Sequence, residues 1–451
     1  MSIAQQQMRE PAPAMITPAT AAEDKATSMT HSVAAEAAYH EQVQGDLSRN
    51  YAGVLAHGML GMTGFRLVTA PTFVPAYIFL LSASRLAVGV ALSAQFIGMA
   101  LSSIWGATLI EHRRKVMPVV YSVGWLMRLQ ILWLALSGYF LSGHAALTAA
   151  CIFLGLFGFF SGMQNVSFSF MMSKVIPVNR RGQLTGMRNF LGGLIASGVA
   201  YLGGKYLVAA NTWGNGYATT FLAAFVFTSL GITALNFVRE PESLAVRLQS
   251  GLLGRLREVP AMLRADEHYR RFFFARALGA LGTTAVPFYA IYAGQSVHLS
   301  GAMLAYLSLA FLLSQTVSNL AWGPIADRHG YRRVFIISMG LWTLSTAALV
   351  IAGGVPSILL AFCGLGSGFG GYQVASQNFV LEFGKPHDRP MLIAVSDTAS
   401  HLMMASGPLL GGYVAQQFDF GSMFAIAIFV MALSVLAILR VQEPRHAIEQ
   451  E

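Results

Sequence analysis

The chain has 451 residues, of which 55% are hydrophobic and only 11% charged, with a mean hydropathy of +0.56. A soluble globule of this size would expose too much apolar surface, so the composition argues against a water-soluble enzyme and calls for a bilayer as solvent. The net charge of +9 would suggest a nucleic-acid partner in a soluble protein, but the basic residues here fall between long apolar runs, where a membrane surface explains them.

Residues 1–49 are rich in Ala, Gln, Thr and Glu and hold no apolar run, so they read as a disordered cytoplasmic tail and not as a secretory signal. Twelve apolar runs follow, near 51–81, 86–109, 117–141, 146–171, 185–208, 218–238, 272–294, 301–324, 333–353, 355–382, 391–415 and 419–440. Each suffices to cross a hydrocarbon core about 30 Å thick, which takes roughly 20 helical residues. The expected fold is an all-α polytopic membrane protein with twelve transmembrane helices. Its parts are a six-helix half over 50–238, a linker over 239–271, a second six-helix half over 272–440 and a tail over 441–451. Pro71, Pro75 and Pro287 should bend the first and seventh spans. Gly158 with Gly162, Gly182 with Gly186, Gly364 with Gly368, and Gly366 with Gly370 make small-residue ridges for close packing. The Arg-rich linker suits a helix lying on the inner membrane surface or a solvated one, and Cys151 and Cys363 read as small buried residues.

Charge sets the orientation. Arg113, Arg114 and Lys115 follow the second run, Lys174, Arg180 and Arg181 the fourth, and seven Arg from Arg239 to Arg271 the sixth. Arg328, Arg332 and Arg333 follow the eighth and Lys385 and Arg389 the tenth, whereas Arg85 and Lys205 are alone on the opposite side. The positive-inside rule then places both termini in the cytoplasm, with a bacterial inner membrane as the expected location.

The two halves echo one another. A shift of 209 residues lays Gly162–Gln164 on Gly371–Gln373, Phe170 on Phe379, Pro177 on Pro386 and Arg180 on Arg389, which predicts parallel repeats with a solute path between them. The eighth run ends in GPIADRHGYRR, from Gly323 to Arg333. This order of Gly, Asp327 and several Arg resembles the cytoplasmic loop signature of the major facilitator superfamily; in the first half it is degraded, with Gly106 followed by Glu111, His112, Arg113, Arg114 and Lys115. The resemblance covers about 400 residues. It implies that spans one, four, seven and ten line the cavity, that the loop after span eight approaches span five, and that the loop after span two approaches span eleven.

Polar residues inside the runs carry the functional expectation, because a charge at mid-membrane costs about 2.5–3.5 kcal/mol even on lenient scales. Arg66, Arg128 and Arg276 enter the spans with no evident acidic partner, so an anionic group of a substrate could complete them, or helix carbonyls and Gln130 or Gln164 could. Gln164 and Asn165 on span four, and Gln373 and Gln377 on span ten, are amides placed by the resemblance at the substrate; the alternative is interhelical hydrogen bonding. His57, Asp397 and His401 are the groups for proton coupling. The 209-residue shift carries Arg188 onto Asp397, which suggests a cytoplasmic gate of Asp327 near Arg188 and of Arg113 or Arg114 near Asp397.

No phosphate-binding loop, nucleophile elbow or metal-ligand spacing is present, so no enzymatic activity, cofactor or metal is expected. The sequence reads as a monomeric secondary transporter of a small anionic or polar metabolite, working by alternating access with the bilayer, and with protons as the coupling ion considered. A proton-driven exporter of amphiphilic drugs and a non-transporting sensor are the alternatives.

Overall fold

The computed structural model describes residues 37–110, 112–243, 252–383 and 389–442. Within them the regular structure is all helix, with no strand. Ten helices are long and apolar enough to cross a membrane by length and composition. The remaining two spans of a twelve-helix pattern are the seventh, over 267–296, and the eleventh, Arg389–Gln417. Span seven falls short because its first turns carry Glu267, Arg270, Arg271 and Arg276 and its middle tightens into a 3-10 turn at Gly282–Phe288.

Both expected bends are present. Span one runs Leu47–Thr69, breaks at Ala70–Thr72 around Pro71, and resumes at Phe73–Ser82. Pro287 sits inside the 3-10 turn of span seven, where its missing N–H leaves no α-helical bond to lose. Glycine ridges set the tightest crossings. A methyl group at Gly158 would overlap the Gln95 carbonyl and one at Gly162 the Ser102 hydroxyl, which presses span four (Gly143–Val175) onto span two (Arg85–Ile110). On span ten (Val355–Phe379), Gly366 meets the Phe311 carbonyl of span eight and Gly368 meets Trp342 of span nine. Gly186 has open space beside it and packs on nothing.

The basic loops define one face of the molecule, called here the basic face. The two halves are joined toward the opposite face. There the Arg85 backbone N–H donates to Gln416 Oε1 at 3.1 Å, and its guanidinium donates to the Ala415 carbonyl and lies 4.3 Å over the Phe420 ring. Ser308 donates to Thr72 Oγ1 at 2.8 Å, and a methyl at Gly412 would sit 2.7 Å from the Arg85 carbonyl.

Residues 37–49 depart from the expected disordered tail. They are helical apart from a turn at Asp46, because their polar groups have partners on the first half. Tyr39 donates to the Lys174 carbonyl at 3.3 Å, Val43 is buried, and Asp46 faces Arg239 at 3.4 Å. Asn50 exchanges two bonds with the Arg239 backbone, at 3.0 and 2.8 Å. In the linker, a helix over Leu252–Ala265 lays Met262 and Leu263 against the core. Cys151 and Cys363 are free thiols.

Candidate solute-binding cavity

A cavity of about 370 Å³ lies within the first half, walled by spans one to five. That is the lower end of the range typical of small-molecule sites. Glycines decide which side chains reach it. A methyl at Gly58 would overlap the Arg188 side chain, and one at Gly61 would lie 3.7 Å from His57 and 4.0 Å from Arg128 Nη2. Two guanidiniums thus rest against one bare stripe of span one, beside glycines three residues apart and so separated by a rise of about 4.5 Å. Gly124 does the same on span three: a methyl there would lie 3.1 Å from Arg128 Nη1 and 3.3 Å from Gln164 Nε2.

Arg128 is wholly buried. Its Nε donates to the Thr228 carbonyl at 2.6 Å and its Nη1 to the Gly124 carbonyl at 2.7 Å, while Nη2 has no partner. Gln164, 6% exposed, leaves both amide atoms without a partner, and the buried Ser167 hydroxyl also lacks one. Arg188 lies 4.9 Å over the Phe168 ring with Nη1 3.8 Å from the Met172 sulfur, and its Nε is unpartnered. His57 holds the Gly231 carbonyl at 2.9 Å through Nδ1 and packs 5.0 Å from the same Phe168 ring. Among the described lining residues there is no Asp or Glu. The cavity is therefore cationic, with unpartnered donors on its lining side chains and no acid among the described lining residues to receive them.

Asn165 lines this cavity beside Gln164. Arg66 is elsewhere: its Nη1 donates to Thr316 Oγ1 at 3.0 Å and bridges span one to span eight. For Arg276 the expectation of a missing acid does not hold. Its Nη2 meets Asp397 Oδ1 at 2.5 Å and its Nη1 the Ser396 hydroxyl at 2.5 Å, since spans seven and eleven pack side by side in the second half. Gln373 accepts from Gln315 Nε2 at 3.1 Å and ties span ten to span eight, and Gln377 is exposed. His401 is half-buried on span eleven, one turn from Asp397, with Nδ1 unpartnered.

The Asp397 part of the expected gate is rearranged. Asp397 faces Arg276, so Arg113 and Arg114, both exposed, are not its ion-pair partners. Arg188 points into the cavity onto Phe168, and the Asp327 side chain lies outside the described residues. In the signature loop Gly330 turns the chain at φ +82°, a conformation open to glycine, and Gly323 has open space beside it. Arg332 donates to the Leu439 carbonyl at 2.7 Å, binding the start of span nine to the end of span twelve, and Arg328 and Arg333 are exposed.

Sequence reading missed the buried pair on the basic face. Lys174 Nζ lies 2.5 Å from Glu240 Oε1, both nearly inaccessible at 6% and 3% exposure. Glu240 also accepts from the Val116 and Met117 amides at 2.7–2.8 Å, where a carboxylate is favoured at the start of span three (Met117–Phe140). A signal was available, since Val238–Pro241 reads VREP and Val441–Pro444 reads VQEP.

Residues 272–451 match the family model of the Major Facilitator Superfamily. The Streptomyces glaucescens "Tetracenomycin C resistance and export protein" is 27% identical over 199 residues, 44% of this chain and 35% of that protein. The "Hexuronate transporter" of Bacillus subtilis (strain 168) is 24% identical over 159 residues, 35% of this chain and 37% of that protein. The chain thus spans little more than a third of the length of these relatives. The crystal structure of the nucleoside transporter NupG superposes with a TM-score of 0.61 at 14% identity, over 86% of this chain and 98% of that one; a NupG mutant gives 0.67 at 13%, over 87% and 99%. Those likenesses extend the fold across both halves. The family match lies in the second half of the chain, and the long apolar helices make it an integral, multi-pass membrane protein.

Proposed function

We propose that the protein is a secondary transporter that carries a small organic solute across a bacterial cytoplasmic membrane by alternating access, as a monomer with both termini in the cytoplasm. With the basic face cytoplasmic, the contacts of Arg85 and Ser308 join the halves at the outer end. The observation that carries the reading is a cavity of transporter fold in which Arg128 and Arg188 keep N–H groups unpartnered and no described acid answers them. An anionic or strongly polar solute supplies what is missing. A relative named for hexuronate, a sugar acid, agrees with this; relatives named for drug export favour a second reading, an exporter of amphiphiles, which the Phe and Met residues of the lining also suit.

Asp397 is the proposed proton site, because its protonation would release Arg276 and so alter how spans seven and eleven are held. Flux of organic anions into proteoliposomes, with and without a pH gradient, tests the proposal. No flux of any organic anion, sugar or drug would overturn it.

A further inference from the structure

Resting on that reading of the cavity, we infer that its ligand is an apolar monocarboxylate, an aromatic acid in the first instance. The carboxylate is held between Arg128, Arg188 and Gln164, and the ring lies against Phe65, Phe157 and Met127.

The charge count comes first. Arg128 spends Nε and Nη1 on two backbone carbonyls and keeps only Nη2 for a ligand. Arg188 leaves Nε without a partner where it packs on Gly58, and its Nη1 is turned to a sulfur, a weak acceptor. Gly58 and Gly61 set these groups about one helical turn apart along span one, and Gly124 brings Gln164 Nε2 beside Arg128. One unpartnered guanidinium nitrogen from each arginine matches the two oxygens of a single carboxylate, with the Gln164 amide as a third donor. No third arginine or lysine lines the cavity among the described residues, so a second full negative charge on the ligand would meet only neutral amides and hydroxyls.

The rest of the lining mixes neutral polar groups, among them Gln95, Asn165 and Asn189, with an apolar wall. Phe65 and Phe157 stand with ring centroids 6.1 Å apart, and Arg128 lies 5.3 Å over the Phe65 ring. Met127 joins them from span three and accepts from Ser161 at 3.1 Å, so its sulfur is already held in place. Ligand hydroxyls turned toward these rings would have no partners there, whereas a ring would. An organic cation would face two guanidiniums. An aromatic acid satisfies both ends, through ion pairing at one and ring-on-ring contact at the other.

The test measures binding to the purified full-length protein by calorimetry, with benzoate, benzamide, succinate, glucose and a hydrophobic quaternary ammonium as probes, and flux of the same compounds in proteoliposomes. Benzoate should bind at least 10-fold more tightly than benzamide, which keeps the ring and loses the charge, and than succinate, which keeps charge and loses the ring. Arg188→Gln should weaken benzoate about 100-fold. That variant is the informative one, because Arg188 tethers no backbone carbonyl whereas Arg128 also holds span three to span six. Gly58→Ala, which displaces the Arg188 side chain and leaves every charge in place, should weaken benzoate as well. Equal binding of benzoate and benzamide, equal binding of benzoate and succinate, or benzoate binding indifferent to Arg188→Gln would each overturn the inference. Flux of glucose or of the ammonium probe without benzoate binding would overturn it and leave the transporter standing. Benzoate binding with no flux of any probe would support it and count against transport.

Discussion

The two halves treat a membrane-buried arginine in opposite ways. In the second half Arg276 is answered by Asp397 from the neighbouring span, with Ser396 taking a further N–H. In the first half Arg128 finds only backbone carbonyls and a ring, and Arg188 a sulfur and a ring. The 209-residue repeat makes the contrast sharper, because Asp397 occupies the position that corresponds to Arg188. One repeat unit, given an acid, closes its cation into an internal pair; the other, given a second cation, leaves a charged cavity. An unanswered buried charge is costly in itself, so its place in the fold is best explained by something that arrives from outside the chain.

The halves also differ at the basic face, and the largest effect is expected there. The first half is clasped by Lys174 and Glu240, whereas in the second half Arg332 binds the last carbonyls of span twelve. Lys174→Met or Glu240→Gln leaves one buried group unpaired and should cost about 3–5 kcal/mol, read as a large fall in the detergent melting temperature. The double change to Lys174→Met with Glu240→Leu should be less harmful than the sum of the singles. An additive result would show that the pair is not coupled.

Converting one half to the other's pattern is the next test. Arg188→Asp places an acid near Arg128 as Asp397 stands near Arg276, and the cavity should lose its appetite for anions by about 100-fold, which is roughly 2.8 kcal/mol at tenfold per 1.4 kcal/mol. Thermal stability should hold, since Arg188 forms no hydrogen bond to backbone among the described contacts. Calorimetric titration with benzoate reads the loss, and unchanged affinity would mean that the contrast between the halves has no bearing on ligands.

How far this could be read from the sequence depended on the range of the interaction. Spans, bends and the repeat follow from apolar length, proline and residue identity along one segment, so Pro71 and Pro287 fall where the helices change. Arg128 could be singled out by its depth alone. Pairing could not, because Arg276 and Asp397 are 121 positions apart and Lys174 and Glu240 are 66 apart, and only packing brings them together. Arg188 was legible as a charge near one end of a span but not as a cavity residue. Its direction is set by the bare surface at Gly58, on a different helix. The lead-in helix before span one was obscured by a polar composition that looks like a tail until Lys174 and Arg239 are seen beside it.

In the second half, Asp397→Asn asks what the internal pair is for. The Asp397 side chain is 43% exposed, so solvent screens the pair and the loss of stability should be only about 1–2 kcal/mol. Transport is the more sensitive readout. If this pair is the proton site, anion accumulation driven by a pH gradient disappears while counterflow of anion for anion continues. Retention of gradient-driven accumulation would remove Asp397 from coupling.

The smallest effect is expected at the far face, where the halves meet each other. Arg85 joins span two to the end of span eleven and the start of span twelve through a backbone bond to Gln416, a side-chain bond to the Ala415 carbonyl and the Phe420 ring. Arg85→Ala removes the last two and keeps the first, which depends only on the backbone. A hydrogen bond from a charged group and a half-buried cation–ring contact are each worth about 0.5–3 kcal/mol at most, and the arginine lies at an end where water competes for it. A net loss near 1 kcal/mol is the reasonable expectation, too little to unfold the protein. It is enough to change the balance of two conformations about fivefold, because the contact exists only while the far face is closed. Cysteines introduced at Phe65 or Gln164 should therefore react several times faster with an impermeant thiol reagent added from the far side in Arg85→Ala than in the parent, with the two native cysteines replaced in both. Equal rates would mean that the close packing of Gly89 and Gly412 on the facing spans holds that end shut without the arginine.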